Sequence, residues 1–266
     1  MVQSAKDVKI PKNINMMIYG DNTTGKTVCA LTAPKPLLIL DIDNRPQTYA
    51  GVDGVDYEIY ADSGSTATAY RNLNTTLRTL SRDKNLKYKT IVLDSTTGLL
   101  DIITDDLLGL TGSGSGAHEG LDLKHWGTVD ERYRKMFGIL RALDCITIAI
   151  SHEQMFKDDL TGEITYATMH VGKKIAKKAP GYFDEIYRAF TEKDRRTKEV
   201  SYLLQTQRDR KYPARTSFNL RDEDGKIVPI LDPVEPQNIG KILEKIAWAQ
   251  ENPKEAIKKI KASRSS

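Results

Sequence analysis

Residues 20–27, Gly-Asp-Asn-Thr-Thr-Gly-Lys-Thr, fill every fixed position of the pattern G-x-x-x-x-G-K-[ST], which cradles nucleotide phosphates. Glycines in such a loop let successive backbone N–H groups turn toward the phosphates. The lysine would reach the terminal phosphates, and the threonine hydroxyl would coordinate a magnesium ion. We therefore expect a nucleoside triphosphate and Mg²⁺ to bind here, with the nucleotide contacts made by Gly20, Asp21, Asn22, Thr23, Thr24, Gly25, Lys26, Thr27 and Val28.

The segments on either side of this loop have the order that phosphate binding requires. The apolar run 15–19 predicts a buried strand before the loop. Residues 28–31 continue a helix after it, until Ala33 and Pro34 break that helix. Strand, loop and helix therefore favour a phosphate loop over an ordinary glycine-rich turn with a chance lysine.

A second acidic magnesium ligand is expected at the end of a strand beside the loop. The apolar run 91–93 is followed by Asp94, which we assign to the metal together with Thr27. The alternative for Asp94 is a turn or helix-capping residue. Ser95 occupies the next position, where many motor ATPases have a glutamate as catalytic base, so the base is expected elsewhere.

Two carboxylates, Asp41 and Asp43, come at the end of another apolar strand, 37–41. Because side chains alternate along an extended chain, both should point the same way. One of them could orient the attacking water. The alternative is a solvated turn that leads into Asn44, Arg45 and Pro46.

Hydrophobic patterning predicts alternating strands and helices, and therefore an α/β protein with a mainly parallel, doubly wound sheet. Helices are expected at 66–80, 99–108 and 129–143, with strands at 90–94 and 145–150. Strands at 185–190, 200–207 and 216–220 without intervening helices suggest an antiparallel extension. We divide the chain into an N-terminal segment 1–14, a core 15–228, and a proline-rich connector with a basic helical appendage, 229–266.

Composition limits the remaining possibilities. The chain has 266 residues with 39% hydrophobic content, which suits one main domain. It carries a net charge of +4, which permits a polyanionic partner. No apolar run is long enough for a membrane span or a secretory signal, so we expect a cytoplasmic protein with no membrane partner. The histidines and the two cysteines lack ligand spacing, so we expect no zinc site.

Taken together, the loop at 20–27, the carboxylates after 37–41 and the run ending in Asp94 and Ser95 resemble the ATPase core of RecA-type recombinases. They are similar in particular to the short RecA-like single-strand annealing proteins of bacteriophages. This resemblance implies a RecA-like P-loop fold, ATP as the nucleotide and Mg²⁺-dependent hydrolysis. It also implies that Asp43 activates water, a position that is normally glutamate. His152 matches a polar sensor of the terminal phosphate, and a structural hydrogen-bonding histidine is the alternative.

The same resemblance extends to Arg208 and Arg210, which match two basic residues that reach the ATP of a neighbouring subunit. An arginine in that place stabilises charge on the transferring phosphoryl group and makes hydrolysis depend on assembly. The resemblance therefore implies a homo-oligomer, either a ring or a filament. A charged strand end in solvent is the alternative for both residues.

Single-stranded DNA is the partner that the resemblance implies, with strand annealing or exchange as the activity and a single-strand binding protein as a further partner. The loop after the fourth core strand and a second loop at 111–120 would contact the DNA. A phage origin would place the protein in the cytoplasm of a bacterial host. A solvated lysine face is the alternative for the basic group that follows His152. That group shares one helical face and consists of Lys173, Lys174, Lys177 and Lys178.

Three other functions remain open from the sequence. A replicative DNA helicase or its loader would share the phosphate loop and the basic surface, although Ser95 argues against loader-type motors. A small-molecule kinase would use the same loop, but no arginine-rich lid is evident. A nucleotide-sensing module that never hydrolyses is kept open by the short aspartate at position 43.

Overall fold

The computed structural model describes residues 13–62, 66–109, 121–158, 160–162, 164–171 and 173–264. The strands in these ranges are β1 (Asn15–Gly20), β2 (Leu37–Asp41), β3 (Val55–Ile59), β4 (Thr90–Asp94), β5 (Ile146–Lys157), β6 (Ile164–Met169), β7 (Glu185–Lys193), β8 (Val200–Gln205), β9 (Asn219–Arg221), β10 (Ile227–Pro229) and β11 (Val234–Pro236). The α-helices are α1 (Lys26–Ala30), α2 (Ala69–Arg82), α3 (Thr96–Leu108), α4 (Leu123–Ala142), α5 (Lys173–Lys178), α6 (Ile239–Glu251) and α7 (Pro253–Arg264).

The main sheet has the strand order β11-β8-β7-β1-β5-β4-β2-β3. All neighbours from β7 to β3 pair in parallel, whereas β8 and β11 are antiparallel. This confirms the predicted α/β fold with a mainly parallel sheet and an antiparallel extension. The extension begins one strand later than expected, because β7 pairs in parallel with β1. The edge strand β3 was not predicted, although its Val-Asp-Tyr-Glu-Ile sequence alternates.

Every residue of β1, β2 and β4 is buried, as expected of parallel strands that are covered on both faces. One face packs against α2, α3 and α4, with Leu73, Leu99 and Phe137 among the fully buried side chains. The other face packs against α1 and α6. Burying apolar area on both faces supplies the main stabilisation, at about 25 cal/mol per Å² removed from water.

Local capping decides where two of the helices begin. Ser95 caps α3 by accepting a hydrogen bond from the Gly98 N–H. Asp122 and His125 form a reciprocal capping box at the start of α4. That box explains why α4 begins at Leu123, six residues before the predicted start of the helix.

The segment after Ile150 differs from the predicted loop. β5 does not end at Ile150 but continues to Lys157, where it pairs with β6 in an antiparallel hairpin. Exposed Met155 and Phe156 lie on the outer half of this hairpin. The chain then returns to the sheet, since the His170 N–H donates to the carbonyl of His152 (2.8 Å).

The helices at the C-terminal end pack on the sheet. Ile239, Ile242 and Ile246 of α6 are buried in the second core, and α7 contributes Ala256. The division of the chain at residue 229 stays a prediction. None of the described helices is long and apolar enough to cross a membrane. Cys29 and Cys145 are free and buried, and burial raises the pKa of both thiols to about 12.

Candidate nucleotide-binding site

Strand order and register bring the predicted residues to one edge of the sheet. β5 lies between β1 and β4, and β2 lies on the far side of β4. Gly20 is paired with His152, and Asp94 is paired with Asp41. The carboxyl ends of these strands therefore meet at one crevice, where open α/β sheets bind their ligands. This cleft is lined by the phosphate loop together with Asp41, Asp43, Asp94 and His152.

Glycine is required at the two fixed positions of the loop for different structural reasons. A Cβ added at Gly20 would lie 2.2 Å from the carbonyl oxygen of Ala189 on β7, so no side chain fits there. Gly25 has a φ of +80°, a left-handed conformation that favours glycine. Thr23 is also left-handed, with a φ of 63°. The loop can therefore turn sharply between β1 and α1 while keeping its backbone close to a ligand.

Lys26 lies at the mouth of the loop and is buried. Its Nζ donates to the carbonyls of Gly20 (3.0 Å) and Asp21 (2.7 Å). Burial lowers the pKa of the ammonium, and the nearby carboxylate of Asp94 partly opposes that effect. An anionic phosphate would offset the cost of burying this charge.

The two predicted metal ligands are in direct contact. The Thr27 hydroxyl donates to Oδ2 of Asp94 at 2.7 Å. Burial raises the pKa of Asp94 to about 6, the Thr27 hydrogen bond opposes the rise, and the charges of Asp43 and Asp41 add to it. A hydroxyl and a carboxylate, together with phosphate oxygens, are the hard oxygen ligands that Mg²⁺ takes in nucleotide sites. The residues present therefore fit Mg²⁺, which would lower the cost of ionising Asp94.

Asp43 lies in the same cleft as the metal pair and is held from two sides. The Ser95 hydroxyl donates to Oδ1 at 2.7 Å, and Nε2 of His152 lies 3.6 Å from Oδ2. Burial disfavours its charge, but the contacts with His152 and Ser95 outweigh burial and lower the pKa of Asp43 below its ordinary value. Asp43 is therefore ionised at neutral pH and able to accept a proton or orient a water molecule.

Asp41 has a different environment, although it points into the same cleft. Its Oδ2 accepts hydrogen bonds from the Arg45 N–H (2.9 Å) and the Tyr49 hydroxyl (2.7 Å). These bonds close the turn that follows β2. Burial raises the pKa of Tyr49, and its hydrogen bond to Asp41 adds to the rise. Of the two carboxylates, Asp43 is the one whose neighbours suit a catalytic group.

Arg208 and Arg210 lie in the loop after β8, where both are exposed. Neither side chain lines the nucleotide cleft of its own chain. The same loop is anchored by Tyr212, whose ring lies 3.6 Å from the Arg188 guanidinium. Arg188 in turn donates at 2.7 Å to Glu153, the residue that follows His152 on β5. The loop that carries both arginines is therefore tied to the strand that carries the sensor candidate.

The predicted DNA-contacting residues are only partly described. The backbone of α5 carries the four lysines, and Lys178 is exposed. The side chains of Lys173, Lys174 and Lys177 lie outside the described residues, as does the loop 111–120. Their proposed contacts with DNA therefore stay predictions.

Several residues of the site were missed from the sequence. Arg45, Thr48 and Tyr49 line the cleft from the short turn after β2. Tyr202 and Gln237 contact the phosphate loop at Gly25. The proximity of Arg45 to Asp43 was an available signal, but nothing in the sequence connects Gln237 with a loop 213 residues earlier.

Comparison with known proteins identifies the family of the chain. A family model described as an AAA domain, AAA_24, matches residues 12–218. No curated protein matches the chain significantly. Three solved structures match the chain, and the values in parentheses are the sequence identity, the TM-score, and the shares of this chain and of the matched chain that are covered. They are a KaiC-like protein, PH0186, from Pyrococcus horikoshii OT3 (13%, 0.41, 83% and 88%), the RadB recombinase (14%, 0.42, 83% and 92%), and the flagellar accessory protein FlaH from Methanocaldococcus jannaschii (9%, 0.35, 72% and 78%). The family model covers more than half of the chain, which therefore belongs to the AAA_24 family of AAA domains.

Proposed function

We propose that this protein hydrolyses ATP with Mg²⁺, binds single-stranded DNA in a nucleotide-dependent manner and promotes strand annealing or exchange as a homo-oligomer. In the nucleotide site, Lys26 contacts the terminal phosphates, and Thr27 and Asp94 hold the metal ion. Asp43 orients the attacking water, and His152 senses the terminal phosphate. The observation that carries the hydrolytic assignment is the ionised Asp43 carboxylate, fixed by the Ser95 hydroxyl at 2.7 Å beside the Thr27–Asp94 pair.

The DNA-binding part of the proposal is supported by the connection between the cleft and the β5–β6 hairpin. β5 runs without interruption from His152 in the cleft to the exposed Met155 and Phe156. The lysines of α5 follow β6 directly. Apolar or aromatic side chains next to lysines suit a single strand, because bases stack and phosphates attract cations. A change at the terminal phosphate could therefore reach this surface through one strand.

Assembly is proposed from the arginine pair. Arg208 and Arg210 are exposed and do not line the cleft of their own chain, so they could serve a neighbouring subunit. Two inactive variants test this directly, Lys26→Ala and the double variant Arg208→Ala with Arg210→Ala. If the arginines act across an interface, an equimolar mixture regains part of the turnover that each variant lacks. A mixture that stays inactive would contradict action in trans.

The first experiment combines DNA binding with hydrolysis. Fluorescence anisotropy of a labelled single-stranded oligonucleotide is measured with no nucleotide, with ADP and with a non-hydrolysable ATP analogue, each with Mg²⁺. Phosphate release is measured with and without the same oligonucleotide, using Asp43→Asn as the control that binds nucleotide without turnover. We expect tighter DNA binding with the ATP analogue and faster hydrolysis with DNA. Absence of DNA binding in every state would refute the DNA proposal, and ATP-driven unwinding of a duplex would favour a helicase.

A further inference from the structure

The segment between β11 and α6 touches both ends of the helix that follows the phosphate loop. At the N-terminal end of α1, the Gln237 side-chain amide donates to the carbonyl of Thr24 (2.8 Å) and to that of Leu203 on β8 (3.2 Å). At the C-terminal end, the Ile239 N–H donates to the Thr32 hydroxyl (2.8 Å) and the Gly240 N–H to the Thr32 carbonyl (3.2 Å). Gln237, Ile239 and Gly240 lie beyond the part of the chain that the family model matches.

The Gln237 bond fixes the orientation of one peptide group in the phosphate loop. In a trans peptide the C=O and the N–H point in opposite directions. With the Thr24 carbonyl held by Gln237 on the outside of the loop, the Gly25 N–H points toward its inside. Within the described part of the chain, no protein group accepts a hydrogen bond from that N–H. It is therefore available to a phosphate oxygen.

Gly25 makes this restraint necessary. Gly25 has a left-handed φ of +80°. Because glycine has no Cβ, its backbone can adopt several other conformations, and the peptide group before it could rotate unless it is held. The packing around it is also close, since a Cβ at Gly25 would lie 2.9 Å from Oε1 of Gln237 and 3.0 Å from the ring of Tyr202. Gln237 and Tyr202 therefore form the outer wall of the loop, and of these two residues it is Gln237 whose amide donates a hydrogen bond to it.

We propose that Gln237 is a positioning residue for nucleotide binding, which aims the Gly25 N–H at the phosphates and makes the C-terminal segment part of the nucleotide site. The proposal rests on nucleotide binding at the phosphate loop. It assigns to residues outside the matched AAA domain a role in affinity. Loss of the amide frees the Thr24–Gly25 peptide to rotate, and the bound nucleotide loses one charge-assisted hydrogen bond.

The test is Gln237→Met, which keeps the length of the side chain and removes its donor. Equilibrium binding of Mg-ADP, steady-state hydrolysis of Mg-ATP and thermal unfolding of the nucleotide-free protein are measured. Gln207→Met is the matched control, because the Gln207 amide also donates to a backbone carbonyl, that of Leu231 (3.3 Å), without contacting the loop. Gln237→Glu is the second variant, which keeps the shape but offers an acceptor where the two carbonyls need a donor.

We expect Gln237→Met to weaken ADP binding and raise KM by about tenfold, with kcat nearly unchanged, because a bond that holds the loop in both ground and transition states affects binding uniformly. Gln237→Glu should weaken binding at least as much, and Gln207→Met should leave ADP binding and KM unchanged. ADP affinity within twofold of the unaltered protein for both Gln237 variants would overturn the proposal, as would an equal loss in Gln207→Met. Failure of the unaltered protein to bind ADP would instead refute nucleotide binding at this loop.

Discussion

The substitution Gly98→Ala should separate catalysis from stability. Gly98 lies in the first turn of α3, where its N–H donates to the Ser95 hydroxyl at 3.1 Å. The same hydroxyl donates to Oδ1 of Asp43 at 2.7 Å. A Cβ at position 98 would lie 2.7 Å from that Oδ1 and 3.0 Å from Cγ2 of Ile42. The added methyl group therefore presses directly on the carboxylate that we propose orients the attacking water.

The size of the effect follows from these distances. Ordinary van der Waals contact begins near 3.4 Å, so the carboxylate oxygen must retreat by about 0.7 Å. A misplacement of about 1 Å can lower an enzymatic rate by roughly a hundredfold, so we expect kcat to fall about 10- to 100-fold. Alanine is favoured over glycine inside a helix by about 1 kcal/mol, which offsets part of the steric cost. The free energy of unfolding should therefore change by about 1 kcal/mol or less.

The assay is phosphate release at saturating Mg-ATP, together with ADP affinity and the free energy of unfolding from denaturant titration. Gly138→Ala is the matched control, because Gly138 lies in α4 with no atom within 4 Å of an added Cβ. It should stabilise the protein by about 1 kcal/mol and leave hydrolysis unchanged. Unchanged kcat in Gly98→Ala would refute the role of Asp43, and equal losses of kcat in the two variants would show that the effect is not local.

Three further predictions follow from other contacts. Lys26→Ala should abolish nucleotide binding without unfolding the protein, because among the described residues Nζ donates only to carbonyls of the phosphate loop; normal turnover in a phosphate-release assay would contradict the site. Asp106→Asn should lower the free energy of unfolding by about 2 kcal/mol, since its buried carboxylate joins Arg71 (2.6 Å) and Arg132 (2.7 Å) across three helices; an unchanged denaturation midpoint would contradict this. Exchanging the α5 lysines for glutamine should reduce the slope of log affinity for single-stranded DNA against log salt by about 3; an unchanged slope would move the DNA site elsewhere. The exchanged residues are Lys173, Lys174, Lys177 and Lys178.

The stability and DNA-binding predictions each have a control in the chain. Glu131→Gln removes an exposed ion pair with Lys135 (2.6 Å) within α4, and it should leave stability unchanged where Asp106→Asn does not. For DNA binding, exchanging Lys254 and Lys258, which are exposed on α7, removes positive charge at another helix. That exchange should leave the salt slope nearly unchanged if α5 carries the contact.

The sequence alone was sufficient for the phosphate loop and the core strands, because both depend on local patterns. The loop is one contiguous motif, and a strand buried on both faces is a continuous apolar run, as in β1, β2 and β4. The alternation of strands and helices then determined the fold class. The proximity of Thr27 and Asp94 also followed, since α1 begins and β4 ends at the same edge of the sheet.

Other features depended on contacts between residues far apart in the chain. The outer half of β5 could not be recognised from the apolar pattern, because its exposed residues are held by pairing with β6. Asp41 and Asp43 look equivalent in the sequence, and only the turn at Tyr49 and the hydroxyl of Ser95 distinguish them. The contact of Gln237 with Thr24 spans 213 residues. Sequence patterns report which residues a segment buries, but the partner of each buried or hydrogen-bonded group is decided when the chain packs.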